Sequence, residues 1–169
     1  MNPVACIVPT RNGGADLARL FDSLAMQSVP MDVFVVDSSS EDGSDALTLA
    51  RGYNLTRIPQ HEFNHGGTRQ RMIDQHPGYA CYVFMTQDAY LETDDAIARL
   101  LQPFDDPRVG AVCGRQLPHR DANLLAQHAR AFNYPAESCI KSLDDAPRQG
   151  LKAAFMSNSF AAYRASALH

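Results

Sequence analysis

The sequence lacks the features of membrane-spanning and disulfide-stabilised proteins. It has no apolar run of about 18 residues, and it does not open with the basic and apolar regions of a secretory signal peptide. Its four cysteines (Cys6, Cys81, Cys113 and Cys139) are widely spaced and form no CxxC pair. Three of them lie in strand-like runs, where a free cysteine packs as a small apolar residue. We therefore expect a cytoplasmic protein with buried, reduced thiols.

The sequence also lacks an excess of positive charge. Lysine and arginine number 15 and aspartate and glutamate 19, so the formal net charge is −4. This weakly acidic balance gives no sign of nucleic acid as a partner, and we expect none. A chain of 169 residues, 45% of them hydrophobic and 20% charged, predicts one soluble domain, residues 1–169, with a single core.

Two phosphate-binding motifs are absent, and one metal-binding motif is present. The first strand-to-helix turn reads PTRNGG instead of GxGxxG, and no GxxxxGK[ST] occurs. The segment His61-Glu62-Phe63-Asn64-His65 matches the HExxH motif of zinc metallopeptidases. That chemistry requires a helix that places both histidines on one face. Pro59 before the motif and Gly66-Gly67 after it favour a loop, and a zinc metallopeptidase is kept only as an alternative.

Strand-like and helical segments alternate along the chain. Leu17, Leu20, Phe21 and Leu24, for example, repeat at helical spacing. The predicted strands are 4–8, 33–36, 55–58, 82–89, 109–113 and 152–156, and the predicted helices are 16–27, 44–51, 68–76, 94–101 and 123–132. Strands separated by helices of this length indicate an α/β fold, with a mainly parallel sheet flanked by helices on both faces.

Two of the predicted strands end on a carboxylate. The run 82–89 reaches Gln87 and Asp88, and the run before Asp37 stops there. Residues that follow parallel strands gather along one edge of the sheet, where open α/β sheets bind ligands. We therefore expect Asp37 and Asp88 side by side near Arg69, as a site for a nucleoside diphosphate and a divalent cation, Mg²⁺ or Mn²⁺. The alternative is that both aspartates serve only as helix caps or as turn residues.

Several motifs, in their order and spacing, resemble family 2 glycosyltransferases of the GT-A fold over essentially the whole chain. They are VACIVPTRNGG, FVVDSSSEDGS, FNHGGTRQR and VFMTQDA, and the rhamnosyltransferase-like branch is further indicated by GRQLPHRDAN and RAFNYP. The resemblance implies that Pro9, Thr10 and Asn12 line a nucleotide pocket and that Asp37 binds the base. It assigns Ser39, Arg69 and Gln87 to the donor site as well, with Asn64 and His65 as further candidates.

Asp88 would stand at the end of the metal motif, where the sequence reads Gln87-Asp88-Ala89 in place of a full DxD. One carboxylate instead of two weakens the expectation of tight metal binding. Asp88 is nevertheless the predicted metal ligand. The resemblance also places Gly114, Arg115 and Gln116 near the sugar or the acceptor.

The resemblance implies an inverting transfer of a sugar from a nucleoside-diphosphate donor, with dTDP-rhamnose favoured, to a saccharide or lipid-linked acceptor in polysaccharide biosynthesis. A lipid-linked acceptor would bring the enzyme to the cytoplasmic face of a membrane. The catalytic base of such enzymes is expected beyond His169, so residues 1–169 would be a donor-binding part, inactive or feeble alone. A non-catalytic module for nucleotide binding or association is the other alternative, and a homodimer is an accompanying expectation.

Overall fold

Six strands form one mixed β-sheet in the computed structural model of the chain, which describes residues 3–119 and 122–168. The spatial order of the strands is β3-β2-β1-β4-β6-β5. The strands are β1 (Val4–Thr10), β2 (Asp32–Asp37), β3 (Asn54–Arg57), β4 (Cys81–Met85), β5 (Ala111–Cys113) and β6 (Phe160–Arg164). The predicted α/β fold is thereby confirmed.

Six α-helices connect or follow these strands. They are α1 (Gly14–Ala25), α2 (Ser44–Ala50), α3 (Gly67–Gln75), α4 (Ala96–Leu101), α5 (Leu124–Asn133) and α6 (Ala146–Gln149). Short 3₁₀ segments lie at Gln60–Glu62, Gln102–Asp105, Leu143–Asp145, Gly150–Ala154 and Ala165–Ala167. The first four helices were predicted to within about two residues at each end, the accuracy at which helix boundaries are normally defined. None of the described helices is long and apolar enough to cross a membrane.

The first four strands in the sheet order are parallel. β1 lies between β2 and β4, and β2 pairs with β3 on its other side. The β1–β2 ladder continues to the pair Thr10 and Asp37, whereas the β1–β4 ladder ends at Ile7 and Phe84. The carboxyl ends of these strands therefore form one edge, as the sequence predicts, and β1 separates the two strands that carry Asp37 and Asp88.

Helices cover both faces of the sheet, again as predicted. On one face Leu17, Leu20 and Phe21 of α1, with Ile97 of α4, pack on alternate residues of the central strands. On the other face Met72 and Ile73 of α3 pack on Ile7, Phe34 and Phe84. The period of two along the strands sends successive side chains to these two separate cores, so β1 and β4 are apolar on both faces.

Of the antiparallel part of the sheet, β5 was predicted as the strand 109–113, whereas β6 and the antiparallel pairing were not. β6 pairs antiparallel with β4 on one side and with β5 on the other. Its sequence, FAAYR, contains two alanines, which have a low strand propensity, but both are fully buried in the sheet. The predicted strand 152–156 is wrong, because that region is largely the 3₁₀ segment Gly150–Ala154 and its Leu151 and Phe155 are exposed. Short apolar runs do not reveal their structure by pattern alone.

The segment from α5 to Phe155 lies largely outside both cores. Asn123 caps α5 by accepting a hydrogen bond from the Ala126 N–H at 2.9 Å, so the predicted helix is confirmed. All ten residues of α5 are nevertheless exposed. Two hydrogen bonds join this region to the segment that follows β5. Arg115 donates to the Tyr134 carbonyl, and Arg130 donates to Gln116.

The cysteines are all unpaired, as expected, but they are not all buried. Cys6 is fully buried in β1, and burial raises the pKa of its thiol to about 12. Cys81 and Cys113 are half-buried and Cys139 is exposed. The expectation of buried thiols thus holds fully for Cys6 alone.

Candidate functional site

The loops that follow β1 and β2 are joined to each other by side-chain hydrogen bonds. Asn12 Oδ1 accepts from the Glu41 N–H at 2.9 Å, and the Asn12 N–H donates to Ser40 Oγ at 2.9 Å. The Gly13 N–H donates to the buried Ser44 Oγ at 3.0 Å, and the Gly14 N–H donates to Asp42 at 2.8 Å. These bonds fix the two loops as one rigid rim at the carboxyl edge of the sheet.

Two residues of this rim have left-handed backbone conformations. Asn12 has φ 48° and Ser39 has φ 66°, and they are the non-glycine residues with positive φ in the described part of the chain. Such conformations cost free energy in residues with a Cβ atom and tend to occur at functional sites. Both residues belong to the set predicted from the sequence.

Gln87 joins the rim to the end of β4. Its Oε1 accepts from Thr10 Oγ1 at 2.8 Å and from the Arg11 N–H at 2.7 Å. Its Nε2 donates to the Arg11 carbonyl at 3.1 Å. β4 ends at Met85, earlier than predicted, so Gln87 and Asp88 lie in the turn that follows the strand.

A first cleft of about 330 Å³ opens on this edge of the sheet. It is bounded by the ends of β1 and β4 and by the segment that enters α3. Its lining residues are Pro9, Thr10, Arg11, Ser38, Gln60, Phe63, His65, Arg69, Thr86 and Gln87. A cleft of this size at the carboxyl ends of parallel strands is where an open α/β sheet binds its ligand.

Arg69 supplies the buried positive charge of this cleft. Its side chain lies in the first turns of α3, and only 6% of the residue is exposed. Nη1 donates to the His65 carbonyl at 2.6 Å, the guanidinium lies 5.7 Å from the centroid of the Phe84 ring, and Nε has no partner. Among the described residues no carboxylate forms a salt bridge with it. Burial lowers the pKa of Arg69. A buried cation without a counter-ion is costly, and an anionic ligand would compensate it.

Asp37 is the buried negative charge at the same edge. The residue is 2% exposed, and its Oδ1 accepts from the Ser40 N–H at 2.8 Å. Its Oδ2 is buried and has no hydrogen-bond partner. Oδ2 is suited to accept a hydrogen bond from a donor group such as the imino N–H of a pyrimidine.

Asp88 faces a second, larger cleft of about 610 Å³. This cleft is lined on one side by the segment from Met85 to Thr93 and on the other by Val112 to His119, with Arg130 also reaching it. Thr86 lines both clefts, which therefore adjoin at this residue. Asp88 is exposed and forms no hydrogen bond or salt bridge with the described residues. Its carboxylate is thus free to bind a ligand.

The donor set around Asp88 decides what kind of metal binding it can support. No group of three or more histidine, cysteine, aspartate or glutamate side chains is placed to hold a metal ion within the ranges that the structure describes. Magnesium, in contrast, is commonly held by one or two carboxylates together with substrate phosphates. One free carboxylate beside a cleft with a buried arginine fits a divalent cation that binds together with a diphosphate.

The structure brings some of the predicted site residues together and not others. Pro9, Thr10, Arg69 and Gln87 line the first cleft, and Asp88 lines the second. Asn12, Asp37 and Ser39 line neither of these clefts; they lie in or beside the rim behind the first. Of the further candidates, His65 lines the first cleft, while Asn64 Oδ1 accepts from the Gly66 and Gly67 N–H groups at the start of α3.

Sequence reasoning missed several polar residues of the clefts, among them Gln60 in the first cleft and Thr86, which lines both. Arg11, which the sequence places at this edge of the sheet, lines the first cleft. Thr86 could have been found, because it directly follows the apolar run of β4, where ligand contacts of parallel sheets lie. Nothing in the local pattern distinguishes Gln60, whose position depends on the 3₁₀ segment after Pro59.

The HExxH segment does not form the helix that zinc chemistry requires. His61 lies in the 3₁₀ segment Gln60–Glu62, Phe63 is extended, and α3 begins only at Gly67. The interpretation of this segment as a loop is confirmed. Its two histidines are not presented one turn apart on the face of a helix.

Solved structures with the same architecture define the class of fold. The chain superposes on a mannosyltransferase from Pyrobaculum calidifontis, in complex with GDP-Man and Mn²⁺, with a TM-score of 0.64 and 21% identity, over 96% of this chain and 44% of the other. It also superposes on residues 1–349 of S. aureus TarS in complex with UDP-GlcNAc, with a TM-score of 0.68 and 20% identity, over 97% of this chain and 46% of the other. The fold is the GT-A fold of glycosyltransferases.

The sequence model described as Glycosyl transferase family 2 matches residues 5–169. This chain belongs to that family. It is 44% identical over 165 residues to the O-antigen chain rhamnosyltransferase RfbN of Salmonella typhimurium, and 46% identical over 162 residues to the O-antigen chain rhamnosyltransferase WbaN of Salmonella anatum. These matches cover 96% and 95% of this chain but only 52% and 51% of the relatives. The chain therefore spans about half the length of the curated relatives it matches.

Proposed function

We propose that this chain is the donor-binding part of an inverting glycosyltransferase, which transfers rhamnose from dTDP-rhamnose to a saccharide or lipid-linked acceptor in polysaccharide biosynthesis. Membership of glycosyl transferase family 2 supports the reaction class. The choice of rhamnose follows the two relatives, both of which are named as O-antigen chain rhamnosyltransferases.

One arrangement carries this proposal: two adjoining clefts that share Thr86, with the buried Arg69 in the first and the free carboxylate of Asp88 in the second. A nucleoside diphosphate has an uncharged base at one end and a doubly charged group at the other. The first cleft would hold the nucleoside between Pro9, Thr10 and Phe63. The diphosphate would then extend past Arg69 toward Asp88, and the sugar would enter the second cleft.

The proposed chemistry requires stabilisation of the departing diphosphate, on which negative charge develops. Arg69 lines the first cleft, and burial strengthens a charge-assisted bond from its guanidinium to a phosphate oxygen. Asp88 would hold a divalent cation, Mg²⁺ or Mn²⁺, which when bound supplies further positive charge at the diphosphate. A carboxylate base must accept the proton of the acceptor hydroxyl. We propose, as the family resemblance implies, that this base lies beyond His169.

The second cleft has the polar groups that an acceptor saccharide would need. Arg115, Gln116 and Arg130 line it opposite Asp88. Gln116 donates to Ser157 Oγ at 2.6 Å and accepts from Arg130, so its carboxamide is held in one orientation. Oriented amide and guanidinium groups are suited to bind the hydroxyls of a saccharide. Arg120 and Asp121 belong to the same GRQLPHRDAN motif as Arg115 and Gln116, but they lie outside the described residues.

Calorimetry tests the donor site directly. The chain is titrated with dTDP, UDP and GDP, with and without Mg²⁺ or Mn²⁺. We expect dTDP to bind most tightly, and the cation to strengthen its binding. Asp88→Ala should remove the effect of the cation because it deletes the one carboxylate proposed to hold it. Asp144→Ala, which removes an exposed carboxylate far along the chain, is the control and should bind as the wild type does.

The same titration separates this proposal from the alternatives. A folded chain that releases no heat with any of the three nucleotides would be a non-catalytic association module, and the donor-site proposal would fail. A zinc ion bound in one-to-one ratio and lost in a His61→Ala variant would instead support the metallopeptidase interpretation.

We also propose a cytoplasmic location, at the inner surface of a membrane when the acceptor is lipid-linked.

We further propose that the protein forms a homodimer, because the chain exposes many large apolar side chains between α5 and Phe155. These side chains are Leu124, Leu125, Phe132, Ile140, Leu143, Leu151 and Phe155. Exposed apolar side chains in such number favour association. Sedimentation velocity over a range of concentrations measures it, and a single monomeric species throughout would contradict the dimer.

A further inference from the structure

Gln87 occupies the position at which the family resemblance places a nucleotide contact, yet its carboxamide is already bonded within the protein. Its oxygen accepts from Thr10 Oγ1 and from the Arg11 N–H, and its nitrogen donates to the Arg11 carbonyl. The side chain thus pairs with both backbone polar groups of one residue, 76 positions away in sequence. Little of its hydrogen-bonding capacity remains for a ligand.

These bonds continue a strand pairing that the backbone leaves unfinished. β1 pairs with β2 as far as Thr10, but on its other side it pairs with β4 only as far as Ile7 and Phe84. Beyond that point β4 ends and turns away. The carboxamide of Gln87 then presents an acceptor and a donor to Arg11, as a neighbouring strand would. It thereby closes the gap between the end of β1 and the turn after β4.

Only an amide of this length satisfies all three bonds. The Arg11 N–H needs an acceptor and the Arg11 carbonyl needs a donor, and a carboxylate offers acceptors alone. A glutamate at this position would place negative charge against the Arg11 carbonyl oxygen. An aspartate would in addition be one methylene too short.

The residues around this contact leave the carboxamide little room. A Cβ atom added at Gly13 would lie 2.9 Å from Thr10 Oγ1 and 3.4 Å from Gln87 Oε1. Gly13 is also held by its bond to the buried Ser44 Oγ. The carboxamide is therefore fixed between the rim and the turn rather than free to rotate into the first cleft.

We infer that Gln87 is a positioning residue that sets the distance between the two halves of the donor site. This inference rests on the proposed function. Thr10 and Arg11 form a wall of the first cleft, which would hold the nucleoside, and the next residue after Gln87 is the proposed metal ligand Asp88. Gln87 also lines the first cleft, but its carboxamide is bonded to Thr10 and Arg11, so it acts through its neighbours.

Two variants of the whole chain test this role: Gln87→Glu, which keeps the size of the side chain, and Gln87→Ala, which removes the contact. NMR titrations measure their affinities for dTDP in the presence of Mg²⁺ and for thymidine without a cation. Because dTDP with Mg²⁺ spans both halves, we expect its affinity to fall about tenfold in both variants, as the loss of one or two hydrogen bonds would cause. Thymidine occupies the first cleft only, and its affinity should change less than about threefold.

One further measurement requires no ligand, and one further variant serves as a control. Hydrogen exchange of the Arg11 amide should accelerate in Gln87→Ala, because its acceptor is lost, and in Gln87→Glu, because the Arg11 carbonyl oxygen repels the carboxylate from this position. Gln75→Glu adds the same charge at an exposed position of α3 and should alter neither exchange nor affinity.

The outcomes distinguish this inference from the function on which it rests. A wild type that binds neither ligand overturns the donor-site function and the positioning role together. A wild type that binds dTDP, with variants that bind it equally well, leaves the function standing and overturns the positioning role. An equal loss for thymidine and for dTDP would mean that Gln87 supports the nucleoside cleft alone, by contact or through its wall, and does not set the distance to Asp88, which also overturns the inference.

Discussion

The carboxylate of Asp37 carries a cost in the folded protein, because one of its oxygens is buried without a hydrogen-bond partner. An unpartnered buried acceptor of this kind typically raises the free energy of the folded state by about 1–3 kcal/mol. Nearby Ser39 adds a left-handed backbone conformation. Costs of this kind, concentrated beside one cleft, are common where a site is prepared for a ligand.

The substitution Asp37→Asn should therefore change the affinity for the nucleotide much more than it changes the stability of the fold. The amide removes an uncompensated buried charge and keeps the oxygen that accepts from the Ser40 N–H. We expect the free energy of unfolding to change by less than about 1 kcal/mol. Affinity for dTDP should fall at least about tenfold, because the acceptor proposed for the base is lost. Urea unfolding and calorimetry measure the two quantities, and unchanged affinity would remove Asp37 from the donor site.

Gly114 is the residue at which a side chain is least tolerated. A Cβ atom there would lie 2.0 Å from Cδ1 of Phe160, whose ring lies against the glycine. Gly114→Ala should destabilise the protein by about 1–3 kcal/mol, because the ring and β6 must move to make room. The midpoint of urea unfolding measures the effect.

Gly66→Ala is the matched control for that substitution. Its backbone has φ −85°, and the nearest atom to an added Cβ is Asn64 Oδ1 at 3.8 Å. We expect a change within about 0.5 kcal/mol, as for most surface substitutions. Equal stabilities of the two variants would show that Phe160 does not pack against Gly114.

At the scale of the elements, the rim depends on the start of α2. Ser44 Oγ is buried, accepts from the Gly13 N–H and donates to Asp42 at 2.6 Å. These bonds and the Asp42 contact with the Gly14 N–H hold the pKa of Asp42 below its usual range; the largest cause is its hydrogen bond with the Ser44 side chain. The first turn of α2 thereby fixes the loop after β1.

Ser44→Ala should weaken both the fold and the rim. The Gly13 N–H loses its buried acceptor, for which we expect a loss of about 1–3 kcal/mol in the free energy of unfolding. Faster hydrogen exchange at the Gly13 and Gly14 amides would accompany it. Ser166→Ala, at an exposed position, is the control. Unchanged exchange at both glycines would contradict the role assigned to this helix start.

The antiparallel strand β6 is held by contacts that only the assembled sheet provides. Arg164 donates to the carbonyls of Phe104, Asp106 and Val109, at 2.7, 3.1 and 3.1 Å respectively. Ala161 and Ala162 are small enough to be fully enclosed between β4, β5 and the helices. Their spacing and propensity do not indicate a strand, which is why β6 was not predicted while the more apolar β1, β2 and β4 were.

At the scale of the whole molecule, the protein should lose stability in alkaline solution. Burial raises the pKa of four tyrosines (Tyr53, Tyr79, Tyr82 and Tyr163), and that of Tyr79, which also donates to Asp32, to about 12. In the unfolded chain these phenols have their ordinary pKa of 10.0. Their neutral forms therefore stabilise the folded state below pH 10, and this contribution is lost as the pH rises from 10 toward 12.

Urea unfolding between pH 8 and 12, with tyrosinate absorbance as a second signal, measures this loss. We expect the free energy of unfolding to fall steeply above pH 10. In a Tyr79→Phe variant the fall should be shallower, because one phenol with a raised pKa is absent. A flat or rising profile between pH 10 and 12 would contradict the assignment.

The order of elements from β1 to α5, the two-faced burial of the central strands and the loop character of the HExxH segment were determined by the sequence itself. Hydrophobic period, proline and glycine act locally, so they can be interpreted without coordinates. The family, too, is evident from short motifs along the chain.

Only the tertiary structure decided how the predicted site residues are distributed between the two clefts and the rim. It placed Arg69 in one cleft and Asp88 in the next, buried Asp37 behind the rim, and engaged Gln87 with the backbone of Arg11. These outcomes depend on where β1 and β4 stop pairing and on contacts between residues far apart in sequence. Such contacts are set by packing in three dimensions, and no local pattern of residues encodes them.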